Sequence, residues 1–397
     1  MHMFIDIVGA CNLSCPSCPM GNSENNNFKK SMQIETFRQI VEKAKLEGVD
    51  SIHLYNWTEP LIHPRIGEFI QTINAAGIAS GISTNLNIAK NIEQALRAEP
   101  SFFRISLSGF HQKTYAQGHV GGDIEVVKQN MIMLHNIKQQ YNLNTLIEVY
   151  YHRYLDNLEE ESLMREFSER LGFSFSTGYS VMMPLEKTFA IIERDPSVTE
   201  ADRETLNRLA LPPYDDLINL VKHYPKRACK LKDQMLVLDC NGNTVLCCSI
   251  FNQSEYQVGK YLDLPLEQLT SLKSTKENCV DMCNRCAKNG LHEYAMYPNQ
   301  GPLERHAVSR IMDFQRRSLL GLPIDNEALG KQDDEVSAED FDEHQYLQSN
   351  HDVKAAIANS AFSSGYQHYL FFGRYEGRKG ASSPLARKDS NMVTDQS

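Results

Sequence analysis

Short apolar runs alternate with amphipathic stretches between residues 3 and 181, and this alternation is the feature that most constrains the fold. Glycines at 48, 77 and 172 stand where helix C-caps are expected. Serial βα units predict a parallel sheet, because a crossover helix must return the chain before the next parallel strand begins. We expect an α/β fold of six such units, either an incomplete barrel or a doubly wound sheet, with strands near 3–8, 49–57, 78–85, 102–109, 144–154 and 173–181.

Composition and charge exclude several classes of partner. The 397-residue chain has a net charge of -10, which argues against a general nucleic-acid binder. No apolar run approaches the roughly 20 residues of a membrane span. The start "MHMFIDIVGAC" lacks the basic and apolar regions of a secretory signal. We therefore expect a cytoplasmic protein with no membrane span and no nucleic-acid partner.

The ten cysteines fall into two groups. A disulfide framework is not expected in a cytoplasmic protein, because that compartment keeps thiols reduced. Three cysteines, at 11, 15 and 18, lie in one short loop, and none follows for two hundred residues. The remaining seven suggest a second site, and they are Cys229, Cys240, Cys247, Cys248, Cys279, Cys283 and Cys286.

The first cysteine loop has a spacing suited to an iron–sulfur cluster. Cys11, Cys15 and Cys18 form a C-x3-C-x2-C pattern directly after the first predicted strand. Three thiolates can hold three corners of a four-iron cubane and leave one iron open to a ligand. A closed structural zinc site is the alternative, but it would need a fourth ligand. The spacing therefore favours an open-site [4Fe-4S] cluster.

This pattern resembles that of the radical SAM enzymes, over roughly residues 3 to 185. In "LYNWTEP", Glu59 and Pro60 are similar to the family's Gly-Gly-Glu-Pro-like segment, with Trp57 and Thr58 in place of the glycines. The resemblance implies that Glu59 binds the amino group of S-adenosylmethionine. It also implies that the cluster reduces this cofactor to a 5′-deoxyadenosyl radical, with electrons from a flavodoxin- or ferredoxin-type donor.

The resemblance adds further cofactor-binding residues and selects the fold. Ser83 and Asn85 of "ISTN" match positions that face the cofactor's ribose and carboxylate in many relatives. After the fourth strand, "SLSG" leaves Ser106 and Ser108 as weaker candidates. Radical SAM enzymes have a partial (β/α)6 TIM-like barrel whose functional loops follow the strands. We expect that fold here, followed by a small Cys-rich α+β hairpin extension and a helical C-terminal module.

The second cysteine group surrounds a predicted hairpin in "QMLVLDCNGNTVLCCSIF". Twelve residues separate Cys229 from Gly242, four separate Gly242 from Cys247, and "CVDMCNRC" follows. This arrangement resembles the SPASM and twitch extensions of radical SAM enzymes. The resemblance implies one closed auxiliary [4Fe-4S] cluster, and we assign as its ligands Cys229, Cys247, Cys283 and Cys286.

Several alternatives for this second group stay open. Cys279 could replace Cys229 as a ligand, because 279, 283 and 286 repeat the spacing of the first loop. A two-cluster extension and a structural zinc knuckle are further alternatives. Cys247 and Cys248 are expected to be neighbours on a strand and so to point to opposite faces. The roles of Cys240, Cys248 and Cys279 are not assigned.

These signals divide the chain into six segments. We predict a radical SAM partial barrel over 1–187, a helical connector over 188–228, an auxiliary-cluster domain over 229–324, an acidic linker over 325–343, a small helical module over 344–380 and a disordered tail over 381–397. The module resembles short C-terminal modules attached to proteins of bacterial surface-polysaccharide synthesis.

The expected function is oxidation of a sugar or glycan-related hydroxyl by a radical SAM oxidoreductase, because an auxiliary cluster can accept the electron of a substrate radical. A radical SAM epimerase and a peptide maturase are alternatives, so the substrate can be a small molecule, a sugar, a nucleotide-sugar or a peptide. A non-catalytic iron–sulfur or zinc protein is the alternative class. Substrate-facing candidates at the ends of later strands are Glu148, Tyr150, His152, Arg153, Glu186 and Lys187.

Overall fold

One nine-stranded sheet organises the molecule. The computed structural model describes residues 1–24, 30–223, 228–327, 329–330, 336, 338–359 and 361–380. The strands are β1 (His2–Ile5), β2 (Ser51–His53), β3 (Ala79–Thr84), β4 (Phe102–Leu107), β5 (Leu146–Arg153), β6 (Ser174–Tyr179), β7 (Met235–Leu238), β8 (Asn243–Val245) and β9 (Gln257–Lys260). They lie in the order β6-β5-β4-β3-β2-β1-β7-β8-β9.

The helices connect and follow these strands. The first seven helices belong to the βα units, which confirms the predicted α/β partial barrel. The helices are α1 (Pro19–Asn22), α2 (Ile34–Leu46), α3 (Ile66–Ala75), α4 (Ile92–Arg97), α5 (Gln112–Gly118), α6 (Ile124–Gln140), α7 (Glu161–Arg170), α8 (Leu185–Ile192), α9 (Glu200–Arg208), α10 (Asp215–Lys222), α11 (Lys230–Asp233), α12 (Gln253–Tyr256), α13 (Leu266–Thr275), α14 (Glu277–Lys288), α15 (Leu291–Met296), α16 (Gly301–Leu319), α17 (Glu343–Ser349), α18 (His351–Ala358) and α19 (Gly365–His368).

The two faces of the parallel sheet have different chemistry. Successive strand residues point to opposite faces, and one face carries buried apolar side chains such as Met3, Ile52 and Phe103, which pack in the core formed with the helices. The other face carries polar groups, including the ion pair between Arg104 and Glu148, with 2.8 Å between Nε and Oε2. The polar face is therefore the side on which a site can be built.

The predicted Cys-rich hairpin is joined to this sheet. β7 pairs in parallel with β1 and antiparallel with β8, and the turn between β7 and β8 includes Gly242 at φ 79°, a conformation that glycine adopts without strain. Leu236 and Leu238 of β7 lie in the same core as the barrel strands. The expectation that Cys247 and Cys248 are neighbours on a strand is wrong, because β8 ends at Val245.

The C-terminal helices form a second core with the region around the later cysteines. The segment from α17 to Gly373 contacts α10 and α16: Asn219 donates to the Tyr366 hydroxyl at 2.7 Å, and Arg305 Nε donates at 2.9 Å to the carbonyl of Phe371, which follows α19. The predicted tail over 381–397 lies outside the described residues, as do 328, 331–335 and 337 of the predicted linker. The six segment boundaries stay predictions. A search of the described helices found none with the length and apolarity of a membrane span.

Candidate functional site

Local backbone hydrogen bonds shape the first cysteine loop. Cys18 occupies the N-cap position of α1, and its N–H donates to the Cys15 carbonyl at 3.1 Å. Gly21 passes so close to the loop that a Cβ atom there would lie 2.3 Å from the Cys15 carbonyl oxygen. Glycine is therefore required at this position for the loop to fold back on α1.

The loop after β2 is anchored by a buried carboxylate. Asp6 accepts hydrogen bonds from the backbone N–H groups of Asn56, Trp57 and Thr58 at 2.9–3.1 Å, and from the Thr58 hydroxyl at 2.7 Å. Burial raises the pKa of this carboxyl, and the four hydrogen bonds oppose that effect. The residues that stand in place of the family's glycines are thus held by a side chain from the neighbouring strand.

Glu59 is held in the same way by backbone donors. Its two carboxylate oxygens accept from the N–H groups of Leu61 at 3.0 Å and Asn85 at 2.8 Å. Burial raises the pKa of Glu59 to about 7, partly offset by these hydrogen bonds. The Asn85 amide lies 3.7 Å from the Cys11 sulfur and donates to Asn12 at 2.9 Å. These contacts connect the loops that follow β1, β2 and β3.

One cavity of about 370 Å³ collects the predicted residues of the first site. It is lined by residues from the loops after the strands and from the polar face of the sheet. All seven residues that we predicted for the first cluster and its cofactor lie in its wall: Cys11, Cys15, Cys18, Glu59, Ser83, Asn85 and Ser106. Their roles remain predictions, but the structure brings all of them to one place.

The three thiols of this cavity lie in a low-dielectric setting. Burial raises the pKa of Cys11 to about 11 and that of Cys18 to about 12, and the pKa of Cys15 is also raised, with Cys18 and Cys11 contributing after burial. Three mutually repelling thiolates are stable only beside a cationic partner. A metal cluster in this position would supply that positive charge, so the donor set fits one.

Another part of the cavity has an aromatic wall. Tyr150 and His152, which the sequence predicted to face substrate, both line it. Their rings are 5.0 Å apart, and the His119 ring lies 6.1 Å from that of His152. Ser108, the second of the two weaker cofactor candidates, is instead hydrogen-bonded to His119 Nδ1 at 2.8 Å. This wall is separate in sequence from the cysteine loop.

Sequence reasoning missed several residues of this wall. Tyr154 and Tyr179 lie at the ends of β5 and β6, so their position after a strand was a usable signal. His119 follows α5, and no pattern in the sequence marked it. Ala295 of α15 and Ser180 were also missed, and Tyr154 is hydrogen-bonded to Ser17 at 3.1 Å.

The other four substrate candidates are engaged elsewhere and do not line this cavity. Glu148 is paired with Arg104 and accepts from Ser176 at 2.6 Å. The remaining pairs are Arg153 with Glu161 at 2.7 Å, Glu186 with the N–H groups of Phe251 and Asn252 at 3.0 and 2.8 Å, and Lys187 with Asp202 at 2.9 Å.

A second cavity, of about 270 Å³, is lined by the four cysteines predicted for the auxiliary cluster. They are contributed by three segments: Cys229 caps α11, Cys247 follows β8, and Cys283 and Cys286 lie on one face of α14. Cys279 also lies on α14 but is not in this wall, and neither is Cys240 or Cys248. The arrangement therefore favours Cys229 over Cys279.

Electrostatics link these four thiols. Burial raises the pKa of Cys247, and the charges of Cys248, Cys286 and Cys229 add to the effect. Cys283 and Cys286 each have a raised pKa to which Cys229 contributes after burial. Lys273 is buried nearby and donates from Nζ to the Met235 carbonyl at 2.7 Å. When deprotonated, the thiols of this site carry negative charges that a bound metal centre would neutralise.

Among the described residues, no group of three or more His, Cys, Asp or Glu is close enough to hold a single metal ion. Thiols that surround a four-iron cluster are farther apart than the ligands of one zinc ion, because the cluster itself lies between them. Cysteines that share a cavity without meeting at one point fit a cluster better than a zinc ion.

The two cavities are adjacent. Ala295 lines both of them, and Met183 of the first is separated by one residue from Leu185 of the second. The indole of Trp57, which lines the first cavity, donates to the Ile250 carbonyl at 3.1 Å, and Ile250 follows Cys247 by three residues. The two thiol sites are thus parts of one connected structure.

A partial barrel with a C-x3-C-x2-C loop at its functional edge defines the radical SAM class. Residues 5–166 match the family model of the Radical SAM superfamily, so this part of the chain is a radical SAM domain. The predicted resemblance is confirmed. The family implies a [4Fe-4S] cluster and S-adenosylmethionine as cofactors, which agrees with the donor set of the first cavity.

More distant similarities are shorter or weaker. The tungsten-containing aldehyde ferredoxin oxidoreductase cofactor-modifying protein of Pyrococcus furiosus is 29% identical over 85 residues, which cover 21% of this chain and only 23% of that protein. Solved structures include BtrN with AdoMet and 2-DOIA (13% identity, TM-score 0.42, 73% of this chain and 87% of that one) and Streptococcus suis SuiB with S-adenosylmethionine (13%, 0.47, 69% and 64%). Similarities of this size carry no argument about the substrate.

Proposed function

We propose that this chain is a radical SAM enzyme that dehydrogenates a sugar or glycan-related hydroxyl. Cys11, Cys15 and Cys18 would hold the [4Fe-4S] cluster, with Glu59, Ser83, Asn85 and Ser106 around S-adenosylmethionine. When bound and reduced by a flavodoxin- or ferredoxin-type donor, this pair of cofactors supplies a 5′-deoxyadenosyl radical that abstracts hydrogen from substrate. The protein's own contribution is to orient the substrate and to exclude water.

The second thiol site is proposed to hold one auxiliary [4Fe-4S] cluster, as in a SPASM- or twitch-like extension. The support is that Cys229, Cys247, Cys283 and Cys286 share a cavity wall, without forming a single-ion site in the described part of the chain. Four thiolates match the four corners of a cubane. A closed cluster of this kind binds no substrate and is suited to electron transfer.

The observation that carries the oxidative assignment is the wall at Ala295 that the two cavities share. A carbon that bears a hydroxyl and has lost its hydrogen atom becomes a carbonyl when it also loses the hydroxyl proton and one electron. Cys229, Cys247, Cys283 and Cys286 would hold an auxiliary cluster that could accept this electron, and their cavity adjoins the first one at Ala295. The balance is therefore one hydrogen atom, one proton and one electron removed from the substrate.

Epimerisation is the second candidate, and it would need a hydrogen-atom donor in the cavity wall. An epimerase must return a hydrogen atom to the substrate carbon, and a thiol is a suitable donor. Among the described residues lining the first cavity, the only cysteines are the three of the cluster loop.

Anaerobic reconstitution followed by addition of dithionite and S-adenosylmethionine tests the proposal. Formation of 5′-deoxyadenosine supports radical SAM chemistry, and its absence from a fully iron-loaded sample favours a non-catalytic iron–sulfur or zinc protein. With a turned-over substrate, a carbonyl product formed in deuterium oxide without deuterium at carbon supports oxidation. An inverted centre that carries solvent deuterium would identify an epimerase instead.

A further inference from the structure

Three tyrosines of the first cavity wall are each backed by an arginine. The guanidinium carbon lies over the ring in every case, at a distance typical of a cation–π contact. The pairs, with the distance from guanidinium carbon to ring centroid, are Tyr150 with Arg104 (4.9 Å), Tyr154 with Arg208 (4.6 Å) and Tyr179 with Arg153 (5.7 Å). The tyrosines line the cavity and the arginines do not.

Each of these arginines is also neutralised by a carboxylate. The Nε-to-carboxylate distances are 2.8 Å from Arg104 to Glu148, 2.7 Å from Arg208 to Asp156 and 2.7 Å from Arg153 to Glu161. The cavity is therefore bordered by phenol groups, while the cations behind them have partners of opposite charge. A ligand anion in the cavity would find no unpaired guanidinium among these three.

The two imidazoles of the wall are neutral at physiological pH. Burial lowers the pKa of His119 to about 3, with His152 adding to the effect, and burial together with Arg104 lowers the pKa of His152 to about 4. His119 Nδ1 is engaged by Ser108, and its ring stacks on Tyr115 with centroids 4.9 Å apart. The His152 ring lies between those of His119 and Tyr150 and lines the cavity.

The described residues of the cavity wall include no lysine or arginine, and the single carboxylate is Glu59. Both Glu59 oxygens accept backbone hydrogen bonds, and their remaining lone pairs are assigned in the proposed function to the amino group of S-adenosylmethionine rather than to the substrate. In the part of the cavity left to the substrate, moving a phosphate or carboxylate from water costs several kcal/mol when no counter-charge compensates it. Hydroxyl groups meet no such penalty, since tyrosine, serine and neutral histidine both donate and accept.

We infer that the substrate part of this cavity takes an uncharged, hydroxyl-bearing ring compound, such as a free sugar, a neutral glycoside or a cyclitol, and excludes nucleotide-sugars, sugar phosphates and acidic peptides. The aromatic wall packs against the apolar face of the ring, and His152 hydrogen-bonds to a ring hydroxyl. This inference rests on the proposed function and specifies its substrate class.

Binding to the reconstituted full-length protein, loaded with S-adenosylmethionine under anaerobic conditions, tests the inference. Calorimetry compares neutral hexoses, methyl glycosides and cyclitols with their own monophosphates and with nucleotide diphosphate sugars. We expect neutral members to bind and each added phosphate to weaken binding by at least about tenfold. Equal or tighter binding of phosphorylated members overturns the inference, as does the absence of binding by every neutral member at concentrations on the order of 10 mM.

A charge introduced into the wall sharpens this test. His152→Lys places a cation beside Tyr150 and should shift the binding preference towards phosphorylated compounds. His111→Lys is the matched control: it lies at an exposed position after β4 and should keep the wild-type preference. A folded His152→Lys protein with unchanged preference contradicts the inference. Cleavage of S-adenosylmethionine without substrate is measured in parallel. If the protein cleaves the cofactor but binds phosphorylated compounds more tightly, only the inference is refuted. If it binds neutral ring compounds but does not cleave the cofactor, only the proposed function is refuted.

Discussion

The two thiol sites are assembled in different ways. The first uses three cysteines from one short loop, held by local hydrogen bonds such as Cys18 N–H to the Cys15 carbonyl. The second draws Cys229, Cys247 and two residues of α14 from three separate segments. A local loop keeps its ligand geometry with little help from tertiary packing, whereas a dispersed site depends on the packing of helix and hairpin around it.

The difference also separates their roles. The first site opens into a cavity with an aromatic wall and the cofactor-binding candidates, so it has room for a ligand beside the cluster. The second offers four thiols to a smaller cavity, and four thiolates leave no corner of a cubane open. One site is suited to binding and chemistry, and the other to accepting an electron.

The largest expected effect comes from removing the first site. Replacing Cys11, Cys15 and Cys18 together with alanine should reduce 5′-deoxyadenosine formation to background, because no open iron remains to bind the cofactor. Iron should fall from about eight to about four per chain, since only the auxiliary cluster is left. Iron and sulfide analysis with product chromatography measures both. Loss of all iron would show that the two sites are not independent.

Removing the second site should separate cofactor cleavage from turnover. In Cys247→Ala/Cys283→Ala, cleavage of S-adenosylmethionine without substrate should stay within about twofold of wild type, because neither cysteine lines the first cavity. Oxidised product should fall to background, because the electron acceptor is lost. Cys279→Ala is the matched control on the same helix and should retain wild-type iron. Loss of four irons in that control would instead make Cys279 a ligand.

A smaller effect is expected from a change behind the aromatic wall. A Cβ at Gly178 would lie 1.8 Å from the Tyr150 hydroxyl oxygen, so Gly178→Ala must displace that ring. Overpacking of this kind costs about 1–3 kcal/mol. We expect most of this cost to weaken substrate binding, which would raise KM about tenfold. Steady-state kinetics measures this. Gly172→Ala is the control: it meets no neighbouring atom but is strained at φ +72°, so it lowers stability without displacing Tyr150. An unchanged KM would place the substrate away from Tyr150.

The smallest expected effect concerns the link between the sites. Trp57→Phe removes the hydrogen bond from the indole to the Ile250 carbonyl, and should lower the free energy of unfolding by about 0.5–1.5 kcal/mol. Urea denaturation followed by circular dichroism measures this. Trp57 is the one tryptophan of the chain, so its fluorescence reports on this contact in the wild type. A change below the error of the measurement would mean that the bond adds no stability.

Much of the fold and of the first site could be predicted from the sequence, because their signals are local. The βα alternation and the spacing of Cys11, Cys15 and Cys18 are properties of consecutive residues. Strand pairing is not a property of consecutive residues, so the sequence did not predict that β7 pairs with β1 at the edge of the barrel sheet. Ala295 lines both cavities and His119 lines the first because segments that are distant in sequence pack together. No local sequence pattern predicts such packing.

Residue type also limited the prediction. Glu148, Arg153, Glu186 and Lys187 were expected to face substrate because they are polar residues that lie at or follow the ends of strands. The structure shows charge pairing or backbone hydrogen bonding for each of them. Sequence position identified the correct edge of the sheet, but the direction of each side chain depends on partners from other segments.

Electron paramagnetic resonance of the reconstituted protein, reduced with dithionite and recorded with and without S-adenosylmethionine, tests the central claim most directly. The two sites should give two reduced [4Fe-4S] signals, and only the signal lost in the Cys11/Cys15/Cys18→Ala protein should change when the cofactor binds to the open iron. A single signal, or two signals that are both unchanged when the cofactor is added, would contradict the assignment of one open catalytic site beside one closed electron acceptor.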